Sequence, residues 1–144
     1  IEYGGINVNA ATRDGDTALI EASQNGHASI VHKLLMVDGI DVNAANGSGN
    51  TALIEASQNG HSDIVQKLLM VDVIDVNVTN RDYDTALMKA SINGHADIVR
   101  LLIEHGADIY ISDRDGRTAM VFSQVYGYPE ITQMISDHAR QQRK

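Results

Sequence analysis

The chain has 144 residues, of which 11 are basic and 19 acidic, and residues 1–139 alone carry a net charge of −11 because three basic residues lie in the last five positions. This charge argues against nucleic-acid binding, which depends on Lys and Arg, and the lack of cysteine excludes disulfides, thiolate metal sites and cysteine nucleophiles. No apolar run approaches the ~20 residues of a membrane-spanning helix, so we expect no membrane insertion and a location inside the cell, cytoplasmic with the nucleus not excluded.

The first residues of the chain match a segment that comes later. Residues 4–9 read Gly-Gly-Ile-Asn-Val-Asn, and residues 38–43 read Asp-Gly-Ile-Asp-Val-Asn at an offset of 34. Residues 1–6 are therefore predicted to be the remnant of a preceding repeat. On this interpretation the chain is a fragment of a longer protein with more repeats upstream.

A short helix is predicted next, beginning at Thr17-Ala18-Leu19 and ending in a tight loop at Asn25-Gly26, where glycine supplies a left-handed backbone conformation. The helix start returns at Thr51-Ala52-Leu53, Thr85-Ala86-Leu87 and Thr118-Ala119-Met120, in steps of 34, 34 and 33 residues. The loop returns at Asn59-Gly60, Asn93-Gly94 and, in altered form, Tyr126-Gly127. Several markers that share one period indicate a tandem repeat.

A longer helix is predicted after each tight loop. The apolar stripe along one face of its first copy comprises Ile30, Val31, Leu34 and Leu35. The joint at Val42-Asn43 and turn-forming clusters such as residues 12–16 then separate one unit from the next. We predict a single domain whose repeats span approximately residues 7–40, 41–74, 75–107 and 108–144.

The last unit, residues 108–144, is predicted to cap the array at its C-terminal end. Thr132 and Ser136 replace the valine and leucine of earlier copies on one side of its long helix, and Pro129 suits the first turn. The basic residues after position 139 complement the negative pole of the helix dipole.

This pattern resembles the ankyrin repeat over nearly the whole chain. The family's Thr-Pro-Leu-His box is matched by Thr17-Ala18-Leu19-Ile20, with alanine and isoleucine in place of proline and histidine. Its glycine–histidine loop is matched by Gly26-His27, and its Gly-Ala-Asp-Val-Asn signature is closest at Gly106-Ala107-Asp108-Ile109. The resemblance implies an all-α solenoid of stacked helix–loop–helix repeats with β-turn or hairpin fingers. It also implies a monomeric, non-catalytic scaffolding module that binds a protein or peptide through its concave face. A regulatory or targeting domain, attached to a catalytic domain outside this chain, is the alternative.

The residues that suggest chemistry recur in every unit. His27, His61 and His95 are in phase, and stacked helices lie about 8–10 Å apart, too far for parallel side chains to converge on one metal ion. The resemblance implies that each imidazole hydrogen-bonds the loop and turn backbone near it. Catalysis needs one unique convergent group of residues, so we predict no catalytic residue, no metal site and no cofactor.

Candidate partner-binding residues occupy solvent-facing positions that change between repeats and form ladders across a solenoid. In the fingers they are Arg13, Asp14, Asp16, Ser48, Asn50, Arg81, Asp82, Tyr83, Asp84, Arg114, Asp115 and Arg117. In the short helices they are Glu21, Gln24, Asn25, Glu55, Gln58, Asn59, Lys89, Ile92, Asn93, Phe122, Val125 and Tyr126. The first two repeats are acidic and amide-rich at these positions, and the last two are basic and apolar.

The C-terminal half of this surface is therefore predicted to hold an apolar, acidic peptide or a folded protein surface. Its apolar part comprises Ile92, Phe122, Val125 and Tyr126, and its basic part Lys89, Arg114 and Arg117. Tyr83 stands where the other fingers have glycine, and its ring is available to a partner. The alternative is that Phe122 and Val125 pack under the C-terminal cap and Tyr126 covers the last loop.

The resemblance also implies a modification, since the asparagine of the valine–asparagine joint can be hydroxylated in animal cells. Asn43 and Asn77 match that position, each with a leucine eight residues earlier at Leu35 and Leu69. The alternative is that each joint asparagine hydrogen-bonds its own turn.

Overall fold

A computed structural model describes residues 7–143, so the predicted remnant at residues 1–6 lies outside the described residues. The helices of the described part are α1 (Ala18–Asn25), α2 (Ala28–Leu35), α3 (Ala52–Gln58), α4 (Ser62–Leu69), α5 (Ala86–Ile92), α6 (Ala96–Glu104), α7 (Ala119–Val125) and α8 (Pro129–Gln142). The predicted all-α array of helix pairs is confirmed. None of the helices in residues 7–143 is long and apolar enough to cross a membrane.

The recurring threonine starts each odd-numbered helix. The hydroxyl of Thr17 accepts a hydrogen bond from the Ile20 N–H at 3.2 Å, and Thr51, Thr85 and Thr118 cap their helices in the same way. This contact satisfies one of the free N–H groups at a helix start. The helix then ends before a glycine such as Gly60, whose φ of 76° lies in the left-handed region. Threonine and glycine thus fix the length of each short helix.

The helices stack in two rows, with α1, α3, α5 and α7 in the inner row and α2, α4, α6 and α8 in the outer row. Leu19, Leu53 and Leu87 are buried in phase along the inner row. Along the outer row, Ile64 and Ile98 are fully buried, but the in-phase Ile30 is 47% exposed. The predicted stripe is therefore wrong at Ile30, because no helix of the described residues packs on that side of α2.

The joints tie each repeat to the next. The Asn43 side chain donates to the Val73 carbonyl and accepts from the Asp75 N–H, both at 2.8 Å. Asn9 makes the same pair of contacts with Gly39 and Asp41. The alternative that joint asparagines bond their own turn is thus wrong, because both ends of the amide reach the following repeat. Hydroxylation of Asn43 and Asn77 stays a prediction.

The C-terminal repeat buries one side of α8. Ile131 and Ile135 are each 1% exposed, and the Thr132 hydroxyl lies 2.7 Å from the Ser123 hydroxyl of α7. Pro129 is the first residue of α8, as predicted. The polar side of this helix therefore makes a contact within its own repeat, and its role as a cap stays a prediction.

Candidate partner-binding surface

Four fingers project before the inner helices, at residues 12–16, 46–50, 80–84 and 113–117. A backbone hydrogen bond of 2.9–3.0 Å joins the first and last residue of each finger. In the second, the side-chain oxygen of Asn46 also accepts from the N–H groups of Ser48 and Asn50, both at 3.0 Å. Asn80 and Asp113 brace the third and fourth fingers in the same way. We call the surface formed by the fingers and the adjacent exposed faces of the inner helices the groove.

In the last three repeats, the last residue of the finger contacts an inner-helix residue five positions later, and we call the two residues at this spacing a finger–helix pair. In the third repeat the pair is an ion pair, with Lys89 Nζ 3.4 Å from Asp84 Oδ2. In the fourth, the Arg117 guanidinium lies 5.0 Å from the centre of the Phe122 ring. In the second, the Asn50 amide lies 3.5 Å from Glu55 Oε2. The first pair joins two acids, Asp16 and Glu21, that cannot complement each other.

Three cations in the C-terminal half of the groove, Lys89, Arg114 and Arg117, contact other groups of the chain. Arg117 contacts Asp113 at 3.0 Å and Asp115 at 3.1 Å. Arg114 donates to the Arg81 carbonyl at 2.6 Å, and its guanidinium lies 5.4 Å from the centre of the Tyr83 ring. An acidic peptide would therefore compete with Asp84 for Lys89 and with Asp113 and Asp115 for Arg117.

Two aspartates of this half have shifted pKa values. Burial raises the pKa of Asp84, and the neighbouring Lys89 only partly offsets the effect. Burial acts in the same direction on Asp113, but hydrogen bonds from the Arg117 and Asp115 backbone and from the Arg117 side chain outweigh it and lower the pKa of Asp113. Asp84 and Asp113 thus find their partners within the chain itself.

The N-terminal half of the groove contains a pocket of about 460 Å³, which we call the acidic pocket. It is lined by Arg13, Asp14 and Asp16 of the first finger, by residues 46–48 of the second, by Gln24 of α1 and by Glu55 of α3. Glu55 is only 7% exposed. The Asn46 amide nitrogen lies 2.9 Å from Asp16 Oδ1 and 3.5 Å from Glu55 Oε2, so one neutral group bridges two carboxylates.

A sequence model of the family described as ankyrin repeats (3 copies) matches residues 2–80 and 70–144. The chain belongs to the ankyrin repeat family. Ankyrin repeats are in general protein–protein interaction modules and are typically non-catalytic. Comparison with curated proteins finds no relative that matches the chain.

The predicted binding residues of this ankyrin domain fall into three groups. The exposed ones are Arg13, Asp14, Glu21, Gln24, Asn25, Ser48, Asn59, Arg81, Asp82, Tyr83, Asn93, Arg114, Asp115, Arg117, Val125 and Tyr126. Asp16, Asn50, Gln58, Lys89 and Ile92 are half-buried. Glu55, Asp84 and Phe122 are buried, so the expected solvent-facing position is wrong for these three. No contact with a partner tests the set, which stays a prediction.

The structure decides between the two interpretations of Phe122, Val125 and Tyr126, which are an apolar binding surface and packing at the C-terminal cap. Phe122 is 4% exposed and stacks on Tyr126, with ring centres 6.4 Å apart, so the expectation that its ring is open to a partner is wrong. The Arg117 guanidinium also lies over the Phe122 ring. Val125 and Tyr126, at the end of α7, are 69% and 54% exposed, so the alternative that Val125 packs under the cap is wrong.

The ankyrin histidines connect neighbouring repeats. His61 Nε2 lies 3.0 Å from the Gln24 carbonyl, and His95 Nε2 lies 3.2 Å from the Gln58 carbonyl. The implied contact with nearby backbone is thus corrected to one with the preceding repeat, 37 residues earlier. Within residues 7–143, no group of three His, Cys, Asp or Glu side chains is arranged to hold a metal ion.

Two residues that line the acidic pocket, Asn46 and Gly47, were absent from the predicted set. The sequence pattern marks both as turn-forming residues, and that role is real, since Asn46 braces its finger. A second role follows from its position as the first residue of the finger, where its amide contacts Asp16 of the finger before. The Asn80 amide makes the corresponding contact with Asn50 at 2.9 Å.

Proposed function

We propose that the groove of this ankyrin domain binds a protein or peptide partner, as a scaffolding module without catalytic activity. The supporting observation is a division between constant and variable positions. Leu19, Leu53 and Leu87 are constant and at most 2% exposed, and the serine in phase at Ser23, Ser57, Ser91 and Ser123 is fully buried. Constant positions therefore hold the stack.

Variable positions lie largely on the groove. Gln24 and Gln58 are followed in phase by Ile92 and then by Val125, which is 69% exposed. Side chains that change in this way while facing solvent carry little packing, so they are free to specialise for a partner. Tyr83 and Tyr126 are each 54% exposed, and aromatic side chains are enriched at the anchor positions of interfaces.

A pair of matched double variants tests this function. Val125→Ser with Tyr126→Ser removes apolar surface from the groove, and Met36→Ser with Met70→Ser removes it from the ends of outer helices, where the methionines are 73% and 72% exposed. With the native partner purified from the source cell, we expect the groove variant to lose affinity by about tenfold or more. The outer-helix variant should bind as the wild type does.

The same experiment contains its control for folding. All four side chains are exposed, so we expect both variants to unfold thermally within a few degrees of the wild type. Loss of affinity in the outer-helix variant with full binding by the groove variant would place the partner on the opposite face and contradict the proposal.

A further inference from the structure

The acidic pocket holds more negative charge than its own cations balance. Its lining includes Asp14, Asp16 and Glu55 but a single cation, Arg13. Within residues 7–143 none of these four side chains takes part in an ion pair. Glu21, exposed on α1, adds a further carboxylate in phase with Glu55. The N-terminal half of the groove is therefore short of positive charge.

Glu55 is a second and independent feature of the pocket that favours a cationic ligand. The residue is only 7% exposed, yet it lines the pocket. Its only side-chain contacts in the described residues are the amides of Asn46 and Asn50, both 3.5 Å from Oε2, and no donor there reaches Oε1. A hydrogen bond of that length is weak, so the amides compensate little of the charge on Oε2. Oε1 has no hydrogen-bond partner and is absent from the buried, unpaired oxygens of the described residues, so it is open to the pocket and free to meet a cation.

The third and fourth repeats show what the same positions do when a cation is present. Lys89 stands in phase with Glu55, and its ammonium neutralises Asp84 at 3.4 Å. Arg117 stands in phase with Asp16 and covers the Phe122 ring. Both of these repeats supply a positive charge from their own finger–helix pair. In the first two repeats, both pairs lack one.

We propose that the acidic pocket binds an arginine side chain of the partner protein, an inference that rests on the proposed function of the groove. The Asn46 amide now lies between Asp16 and Glu55, where the two carboxylates converge. A guanidinium presents five N–H donors in a planar fork, so it reaches two carboxylates at once, whereas an ammonium is a compact point charge. Arginine is also among the residues most enriched at interface hot spots.

Selection of short random peptides displayed on phage, with the purified chain as target, tests this proposal. We expect the selected peptides to carry arginine. The strongest binder is then synthesised with arginine and with citrulline, which has nearly the same shape and no charge. Citrulline should lower the affinity by about tenfold or more, because truncating a buried charge pair is costly.

Two variants of the protein complete the test. Glu55→Gln keeps the size of the side chain and removes its charge, and Glu104→Gln makes the same change at an exposed site on α6. We expect Glu55→Gln to bind the arginine peptide about tenfold more weakly than the wild type does. Replacing the arginine by citrulline should then cause no further loss in this variant, because the effects of two groups that interact with each other are not additive. Glu104→Gln should bind as the wild type does. Asp16→Asn is a second probe of the pocket, and circular dichroism verifies the fold of each variant.

The outcomes separate this proposal from the function on which it rests. Selected peptides without arginine, no selected peptide at all, or an equal citrulline effect in wild type and Glu55→Gln would overturn the proposal for the pocket. Amide chemical shifts of the protein report where the peptide lies. If the shifts change along the groove while Glu55→Gln binds normally, the pocket proposal fails and the groove function stands. If the shifts change only on the outer helices, the groove function fails as well.

Discussion

The two halves of the groove share one backbone design but differ in how their charges are balanced. In the third and fourth repeats, Lys89 neutralises Asp84 and Arg117 contacts both Asp113 and Asp115. In the first two repeats, Asp16 and Glu55 share only the neutral amide of Asn46. The difference teaches that in-phase positions of a repeat protein can balance their charges within the chain in one copy and leave them unpaired in another.

Replacing Phe122 tests the stabilising side of this comparison and has the largest expected effect. The ring is 4% exposed, so Phe122→Ala should lower the free energy of unfolding by about 3 kcal/mol. At the in-phase position of the second repeat, Glu55→Gln should unfold at the same urea concentration as the wild type or a higher one, because it removes an unbalanced buried charge. Urea denaturation measures both, and equal losses in the two variants would remove the contrast.

Variants of the inter-helix glycines test whether both halves of the array depend on the same loop conformation. Gly60 has φ 76°, and a Cβ there would lie 2.8 Å from His95 Cε1, so Gly60→Val should lower the free energy of unfolding by about 2 kcal/mol. Gly127 has φ 79° with no such neighbour, so Gly127→Val isolates the backbone strain. Urea denaturation should show the smaller loss for Gly127→Val. Wild-type stability of Gly60→Val would contradict the assigned loop.

Titration of Asp84 tests the charge balance of the third repeat. Its pKa is raised by burial and is held back by Lys89, so Lys89→Met should raise it further. Since the folded state then binds more protons than the unfolded state, the free energy of unfolding should fall as pH rises from the ordinary value near 3.8 through the raised pKa. Carboxyl-carbon NMR of Asp84 in wild type and variant measures the shift. An unchanged midpoint in Lys89→Met would show that the ion pair does not set it.

Tyr83 has the smallest expected effect on stability. It is the one non-glycine residue with positive φ in residues 7–143, at 64°, and Tyr83→Gly relieves that strain but loses the contact with Arg114. These terms oppose each other, and each is on the order of 1 kcal/mol, so we expect thermal unfolding to change little. Strong destabilisation would make Tyr83 a structural residue of its finger instead of an exposed side chain available to a partner.

The sequence predicted the scaffold well because period and chemistry agree at each repeat. Threonine before each inner helix and glycine after it determine local structure through caps and left-handed φ, which depend on few distant contacts. The prediction that Ile30 belongs to a buried apolar stripe was wrong. Burial of that face depends on a neighbouring layer, which a pattern within one helix does not contain.

The candidate site was harder to predict because its chemistry depends on pairs. The comparison of in-phase positions between repeats predicted that Lys89, Arg117 and Phe122 form one exposed surface. The decisive contacts run across each repeat, from finger to inner helix, as in Asp84 with Lys89 and Arg117 with Phe122. The five-residue spacing of complementary residues was visible in the sequence, but their proximity is known only from the folded structure.

Hydrogen exchange of the chain with and without its native partner tests the account most directly. We predict that partner binding slows amide exchange in the fingers and inner helices, including residues 46–50 and 80–84, and leaves the outer helices α2, α4 and α6 unchanged. Slowed exchange confined to those outer helices, with fingers that exchange as in the free protein, would contradict the account.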